Sequence, residues 1–260
     1  MNAIALTYLD SNSWLIELGG QRILLDPWLV GPLVFGNLPW FFKGDRRKDR
    51  SIPENINLIL LSQGLEDHAH PQTLKQLDRD IAVVASPNAA KVVQELGYRQ
   101  ITALAHQESF TLANRIEIKA VPGSPIGPTL VENGYILKEL ETGNSIYYEP
   151  HGYHSPSLKD AAPVDVAIAP IVDLSLPLGI PIIKGTETAL EAARLLKPQV
   201  MLPTAAGGDV TFSGFLASFL RASGNLEDFR SMLARANLST QVLEPKPGER
   251  FEVSLKNPVS

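Results

Sequence analysis

The order of extended and helical stretches constrains this chain more than any single residue does. Residues 4–9, 13–18 and 21–26 are short β-prone runs, and Gly19-Gly20 between the last two is a hairpin turn signal. A long loop punctuated by Pro and Gly is expected over 27–53, and residues 57–62 form a continuous apolar run, the pattern of a strand buried on both faces. A short helix is expected over 71–77 and a strand over 81–85. A helix follows over 88–96, where Ala89, Val92, Val93 and Leu96 recur at helical spacing before Gly97. Strand-like runs return at 101–104, 109–112, 115–121, 134–140 and 145–149, the last two joined by the turn Thr142-Gly143-Asn144. Alternation then resumes, with a strand over 164–169, a helix over 186–196 that stops before Pro198, and a strand over 199–203. Helices over 213–221 and 226–236 and strands over 240–243 and 250–255 close the chain. Strands, alternation, strands and alternation again imply two sheets packed face to face with helices outside, a four-layer α/β/β/α sandwich. No linker and no fixed-period repeat divides the chain, so residues 1–260 are expected to form a single domain.

The composition narrows the chemistry. The chain has no cysteine, which removes disulfides, a thiolate nucleophile and any Cys-ligated zinc or iron–sulfur site. Its net charge of −5 argues against a nucleic-acid partner, since such proteins carry a basic surplus. Met1 to Thr7 lacks the basic start and long apolar core of a signal peptide, and no run of roughly 18 apolar residues could span a membrane. A cytoplasmic location is the expectation. A hydrophobic fraction of 44% is ample for a core.

Directly after the apolar run at 57–62, the chain reads Ser62-Gln63-Gly64-Leu65-Glu66-Asp67-His68-Ala69-His70-Pro71. Polar groups able to bind a metal cluster where the backbone must turn. Three features in order resemble the metallo-β-lactamase fold superfamily, and within it the lactonase-like, UlaG-like branch. The first is a hairpin entering Ile23-Leu24-Leu25-Asp26-Pro27-Trp28. The second is Ser62–His68, which stands where the family has Thr-His-x-His-x-Asp-His. The third is Pro247-Gly248-Glu249, similar to the family's closing strand signal. The resemblance covers nearly the whole chain and implies a hydrolase built around two metal ions.

Position by position, that implication weakens. The first two family histidines fall at Gln63 and Leu65, while Asp67 and His68 are retained. The third histidine falls at Ser124 in Pro122-Gly123-Ser124-Pro125. The bridging Asp falls near Glu149-Pro150-His151, and the last histidine near Thr204 in Pro203-Thr204-Ala205. A zinc site needs about three protein ligands, so an ordinary two-zinc centre is not expected. One divalent metal held by Asp67, His68, Glu149 and His151 is chemically reasonable, and mixed His/carboxylate ligation suits zinc, manganese or iron. Asp67 and His68 would then be ligands or the acid/base pair. The plainer reading makes Asp67 a helix cap and His68 an ordinary polar residue. By the same resemblance Asp26 supports the pocket, with Gln63, Ser124, Thr204 and Asp209 around it. His70, before Pro71, is expected to be structural or exposed, and His106 a surface turn residue.

Two classes of function remain open. One is an altered hydrolase acting on a small or lipid-like ester, lactone or phosphoester with one metal or none. The other is an inactive binding or regulatory module that keeps the fold and its pocket for a small-molecule ligand. The stretch from Pro27 to Phe42 is rich in Trp, Phe and Leu and is followed at once by Lys43, Arg46, Arg47, Lys48 and Arg50. It is expected to pack as an apolar lid, with peripheral membrane or partner-protein contact through Pro27–Phe42 as the second reading. A second apolar loop, 171–183, could meet it. Oligomeric state leaves no trace in the sequence.

Overall fold

The structure is a computed structural model and describes residues 4–126, 130–205 and 207–255. Two seven-stranded sheets dominate it. The first runs, edge to edge, Arg250–Val253, Ile4–Tyr8, Trp14–Leu18, Gln21–Leu25, Leu58–Leu61, Ala82–Ala85, Ile101–Ala103. The second runs Gln241–Val242, Val200–Pro203, Val166–Ala169, Ser145–Tyr148, Leu130–Glu139, Ile116–Ile126, Ser109–Leu112. Each sheet is antiparallel in one half and parallel in the other. The cause is local. Short turns can only return a strand antiparallel, whereas parallel neighbours need a crossover. Helices Pro71–Gln76 and Pro87–Glu95 supply crossovers in the first sheet, and Thr186–Leu196 and Leu226–Arg235 in the second.

Side chains sort into layers by strand alternation. Trp14, Ile16, Leu25, Leu58 and Leu60 of the first sheet meet Leu137, Ile146, Tyr148, Val166 and Leu202 of the second in one buried core. The alternate residues Leu24, Ile59 and Leu61 face Leu74, Ala89 and Val93 of the first helix pair. Tyr147, Ala167 and Met201 face Ala189, Leu196 and Phe229 of the second pair. These three cores define the α/β/β/α order, so the expected four-layer sandwich is the observed one. Chain closure follows the expected signal too: the Gly248 N–H donates to Tyr8 O at 2.7 Å, leading Arg250–Val253 onto the edge beside Ile4–Tyr8.

Two expectations need correction. The loop over 27–53 contains strands Leu33–Val34 and Lys43–Arg46, because Lys43–Arg46 pairs with the distant Val210–Ser213. That same pairing takes Ser213 from the expected helix over 213–221, and the strand Arg221–Ser223 takes its other end. Gly214, at φ +100, ends the strand, and only Phe215–Phe219 remains helical. A further small sheet joins Pro181–Ile183, Asp173–Ser175 and Arg221–Ser223. Both small sheets rise over one end of the sandwich. Trp28, Leu33 and Phe42 form a buried cluster there with Phe41, Leu216 and Leu220 packed against it. The lid reading of residues 27–42 matches this packing.

Candidate functional site

The site lies where strands stop. Gln21–Leu25 and Leu58–Leu61 release Asp26 and Ser62, and Ser145–Tyr148 of the facing sheet releases Glu149. In open α/β sheets the carboxyl ends of parallel strands are where loops can present polar groups without breaking the ladder. Asp26 takes a left-handed conformation, φ +41, which turns its carboxylate back into the sandwich. There it is fully buried and accepts four hydrogen bonds. Ser62 donates its N–H to Oδ1 at 2.7 Å and its hydroxyl to Oδ2 at 2.5 Å. The Tyr148 hydroxyl donates to Oδ2 at 2.6 Å, and the His68 Nδ1–H at 2.7 Å. Tyr148 reaches across because its side chain is one of those facing the inter-sheet core.

His68 is thereby fixed as a ring with Nδ1 committed and Nε2 turned outward. Nε2 lies 3.2 Å from Asp67 Oδ2 and 3.3 Å from Asn12 Nδ2. Burial alone would depress this imidazole, but the charges of Asp67 and Asp26 and their hydrogen bonds outweigh it and hold His68 well above the usual histidine range. Burial likewise works against ionising Asp67, yet His68 keeps its carboxyl below the ordinary value. Asp67 Oδ1 has no hydrogen-bond partner.

His151 repeats the arrangement from the other sheet. Its Nδ1 lies 2.9 and 3.0 Å from the two oxygens of the buried Glu132 carboxylate, and its ring centroid is 5.1 Å from that of His68. Burial opposes the charge on Glu132, but His151 overrides it and holds the carboxyl below its ordinary range. One ligand atom each from Asp67, His68 and His151 lie within 4.8 Å of one another. Each histidine thus has a carboxylate behind Nδ1 and leaves Nε2 as its ligand atom, the outer-sphere pattern that orients histidines on metals.

Asp67 and His151 stand on the wall of a cavity of about 550 Å³. The rest of its lining is largely apolar and comes from the lid, including Leu33, Phe42, Phe212 and Leu216.

Residues 5–205 match the model of the beta-lactamase superfamily domain family. The chain belongs to this superfamily. It is 26% identical to a UPF0173 metal-dependent hydrolase of Pyrococcus furiosus, over 96% of this chain and 100% of that one. It is 27% identical to a UPF0173 metal-dependent hydrolase of Aeropyrum pernix, over 95% and 96%. The solved structure of Igni18, a metallo hydrolase from Ignicoccus hospitalis, superposes with a TM-score of 0.70 at 17% identity, covering 98% of this chain and 100% of that one. That likeness shows the metallo-β-lactamase fold.

Within this superfamily member, the expected site residues divide. Asp67, His68 and His151 converge, and Asp26 supports them. Glu149 lies outside the convergent group. Its Oε2 accepts the N–H groups of His151, Gly152 and Tyr153 at 3.2, 2.5 and 3.0 Å, and its Oε1 accepts from the Ser124 hydroxyl at 3.1 Å. Burial and the neighbouring Glu132 charge push its carboxyl well above the ordinary value, so it shapes the loop that carries His151. Gln63 is buried beside the site with Oε1 unpartnered, while Leu65 is 41% exposed. Thr204 accepts from Trp14 Nε1 at 3.1 Å and donates to Ser11 O at 3.2 Å, which steadies the turn bearing Asn12. Asp209 points away from the cluster, because Arg50 holds its Oδ2 at 2.7 Å. His70 is structural: it is buried, caps the helix Pro71–Gln76 and lies 3.2 Å from Pro32 O. His106, half-buried rather than a plain surface residue, lies 3.1 Å from Glu132 O.

Asn12, Glu132 and Tyr148 were not anticipated. Glu132-Asn133 did carry a signal, as two polar residues between the apolar Leu130-Val131 and the run Gly134–Leu137. Asn12 and Tyr148 carried none, since only the packing of the two sheets brings them near His68.

His154 has its own consequence. It is buried, with Nδ1 3.0 Å from the Tyr147 hydroxyl and Nε2 unpartnered. Burial pushes its imidazole down to about 4. The folded state therefore resists a proton that the unfolded chain accepts at about 6.5. Stability from this group is complete above that ordinary value and is lost as pH falls from about 6.5 to about 4, a loss of about 3 kcal/mol. Urea unfolding at stepped pH should show a shallower acid slope in His154→Gln than in the parent. Equal slopes would remove His154 as the cause.

Proposed function

We infer that this chain binds a single divalent metal ion through Asp67, His68 and His151, and that it acts as a hydrolase on a small or lipid-like ester, lactone or phosphoester. The observation that carries the reading is the pair of histidines, each with Nδ1 held by a buried carboxylate, converging with Asp67, whose Oδ1 has no hydrogen-bond partner. Two imidazoles and one carboxylate are a common ligand set for zinc or iron with open positions. The names of the UPF0173 relatives, metal-dependent hydrolases, point the same way. Gln63, Leu65 and Ser124 at the other motif positions offer no imidazole, which supports one metal rather than two.

The residues divide the work. Asp26 and Glu132 orient the two rings, and His68 must give up its Nε2 proton to ligate. Asn12 Nδ2 adds a donor beside the open face. The apolar lid residues hold the carbon skeleton of the substrate and keep water out of the cavity. A bound divalent ion would supply Lewis-acid polarisation of the scissile carbonyl or phosphoryl group.

The 3.2 Å contact of His68 Nε2 with Asp67 Oδ2 favours a second reading. A protonated His68 between two carboxylates is self-sufficient, which would suit a metal-free binding module. Metal analysis separates the two. Zinc, manganese or iron(II) titrated into the stripped protein should bind one per chain. Asp67→Ala or His151→Ala should abolish uptake, and Glu132→Gln should weaken it by about 10–100-fold. A folded protein that takes up none of the three ions would leave the binding-module reading standing.

A further inference from the structure

The segments that build the lid are poor in negative charge. The chain has 28 Asp and Glu residues and a net charge of −5, yet residues 28–44, 174–186 and 210–223 contain no carboxylate. Their only charged side chains are Lys43, Lys184 and Arg221. Lys43 pairs with Asp45 at 2.8 Å, just beyond its segment, and Arg221 donates to the carbonyls of Ser218 and Leu220.

Among the described residues, eight of the thirteen large apolar side chains that face solvent lie in these segments. Leu178 is 99% exposed, Trp40 66%, Phe215 59% and Ile180 54%. Leu178 stands at φ +67, a left-handed conformation disfavoured by about 1–2 kcal/mol for a residue with a Cβ. The tip is otherwise closed by a hydrogen bond from Leu176 N to Ile180 O at 2.8 Å. The most exposed apolar side chain thus sits on a strained turn, where a polar residue or glycine would fit with less penalty.

The three segments form one surface. Phe215 N–H donates to Trp40 O and Leu216 N–H to Phe41 O, at 2.9 and 2.8 Å. Leu174 pairs with Ala222, and Ser175 with Arg221. The other side of the same surface lines the cavity through Leu33, Phe42, Ile183, Phe212 and Leu216. A largely apolar rim, whose own segments hold no carboxylate although Asp45, Asp49 and Glu66 reach Lys43, Gly31 and Gly36 from beside it, therefore borders an apolar cavity whose wall carries Asp67, His151 and Asp173.

We propose that this rim docks on an anionic lipid bilayer, with Leu178, Ile180, Trp40 and Phe215 entering the interface and Lys184 and Arg221 meeting the headgroups. Apolar side chains flanked by cations bind anionic interfaces through both terms, and the acidic remainder of the protein is repelled, which sets the orientation. Docked in this way, the cavity opens directly onto the bilayer and takes its substrate from it.

The protein carries its own probe. Of its three tryptophans, Trp14 and Trp28 are fully buried, so a change of emission on binding reports Trp40. The full chain is mixed with phosphatidylcholine vesicles, with and without phosphatidylglycerol. It should co-sediment with the anionic vesicles and shift its emission to the blue. Trp40→Phe should lose the shift and still bind. Leu178→Asp with Ile180→Asp, at positions whose exposure spares the fold, should weaken binding at least tenfold. Lys184→Gln and Arg221→Gln should each weaken it roughly fivefold. The proposal is overturned by a lack of sedimentation with either vesicle. It is also overturned if sedimentation equilibrium shows a lipid-free dimer whose Trp40 emission is already blue, since the rim would then belong to a second copy of this chain. Binding is read without turnover or metal, so this result stands apart from that of the metal titration.

Discussion

Asp26→Ala is expected to destabilise the fold by about 3–5 kcal/mol and to disorder the site in the same step. Removing one partner of a buried charge pair leaves the other unpaired, and losses of about this size follow. Asp26 and His68 are both fully buried. The carboxylate also takes the Ser62 N–H, the Ser62 hydroxyl and the Tyr148 hydroxyl. Each donor left orphaned in a dry core adds about 1–3 kcal/mol unless water enters. Typical domains have a stability of about 5–15 kcal/mol, so the variant should be marginal at room temperature. Asp26→Asn keeps the shape and an acceptor for Ser62 N–H, and should be the milder change. In it His68 loses one of the two charges that raise it, so its ring should titrate lower, as followed by NMR of the imidazole protons. Urea unfolding gives the stability. A loss under about 1 kcal/mol, the range of exposed pairs, would show that Asp26 and His68 are not a dry, charged pair.

This buried cluster also shows where local sequence patterns stop being informative. The layers were readable because each rests on a local signal. The Gly19-Gly20 turn between two β-prone runs marked the hairpin Trp14–Leu18 and Gln21–Leu25, and the spacing of Ala89, Val92, Val93 and Leu96 marked the helix Pro87–Glu95. The lid was harder. Lys43–Arg46 looks like a loop because its partner strand, Val210–Ser213, lies far along the chain, and β-structure of this kind follows from the pairing rather than from propensity.

The site divides in the same way. Asp67 and His68 were visible since one motif carries both, and His151 was visible as part of a ligand-dense segment. The role of Glu149 was not. Its carboxylate is captured by three backbone N–H groups of its own loop, a hydrogen-bonding outcome that residue type alone leaves open. Gly152 belongs to the same loop. A Cβ there would stand 1.6 Å from Lys184 O, a close approach that only glycine permits and that fixes His151 against the facing segment. Asp10 is the largest omission. Next to Ser11 in a turn it looks like an exposed polar residue, but two arginines from the lid fold onto it.

Replacing Asp10 by alanine should therefore have an effect as large as that at Asp26, at the opposite side of the lid. The Asp10 side chain is fully buried. Its Oδ2 pairs with Arg46 Nη2 and accepts from Arg50 Nε at 2.7 Å, and its Oδ1 accepts the Asp209 N–H at 2.8 Å. Arg46 is almost as buried; its Nη1 and Nη2 also donate to the carbonyls of Trp28 and Leu9 at 2.6 and 2.8 Å, while its Nε has no partner. One carboxylate thus anchors Lys43–Arg46, the residues after it and the turn at Asp209. Asp10→Ala leaves the Arg46 guanidinium buried without a counter-charge, for an expected loss of about 3–5 kcal/mol in urea unfolding. The discriminating variant is the double change Asp10→Ala with Arg46→Met. Removing both charges removes the desolvation penalty along with the attraction, so the double variant should be more stable than Asp10→Ala alone, a coupling a double-mutant cycle reads directly. Additive losses would mean that the two side chains act independently, and that the lid is held by its apolar cluster of Trp28, Leu33 and Phe42 instead.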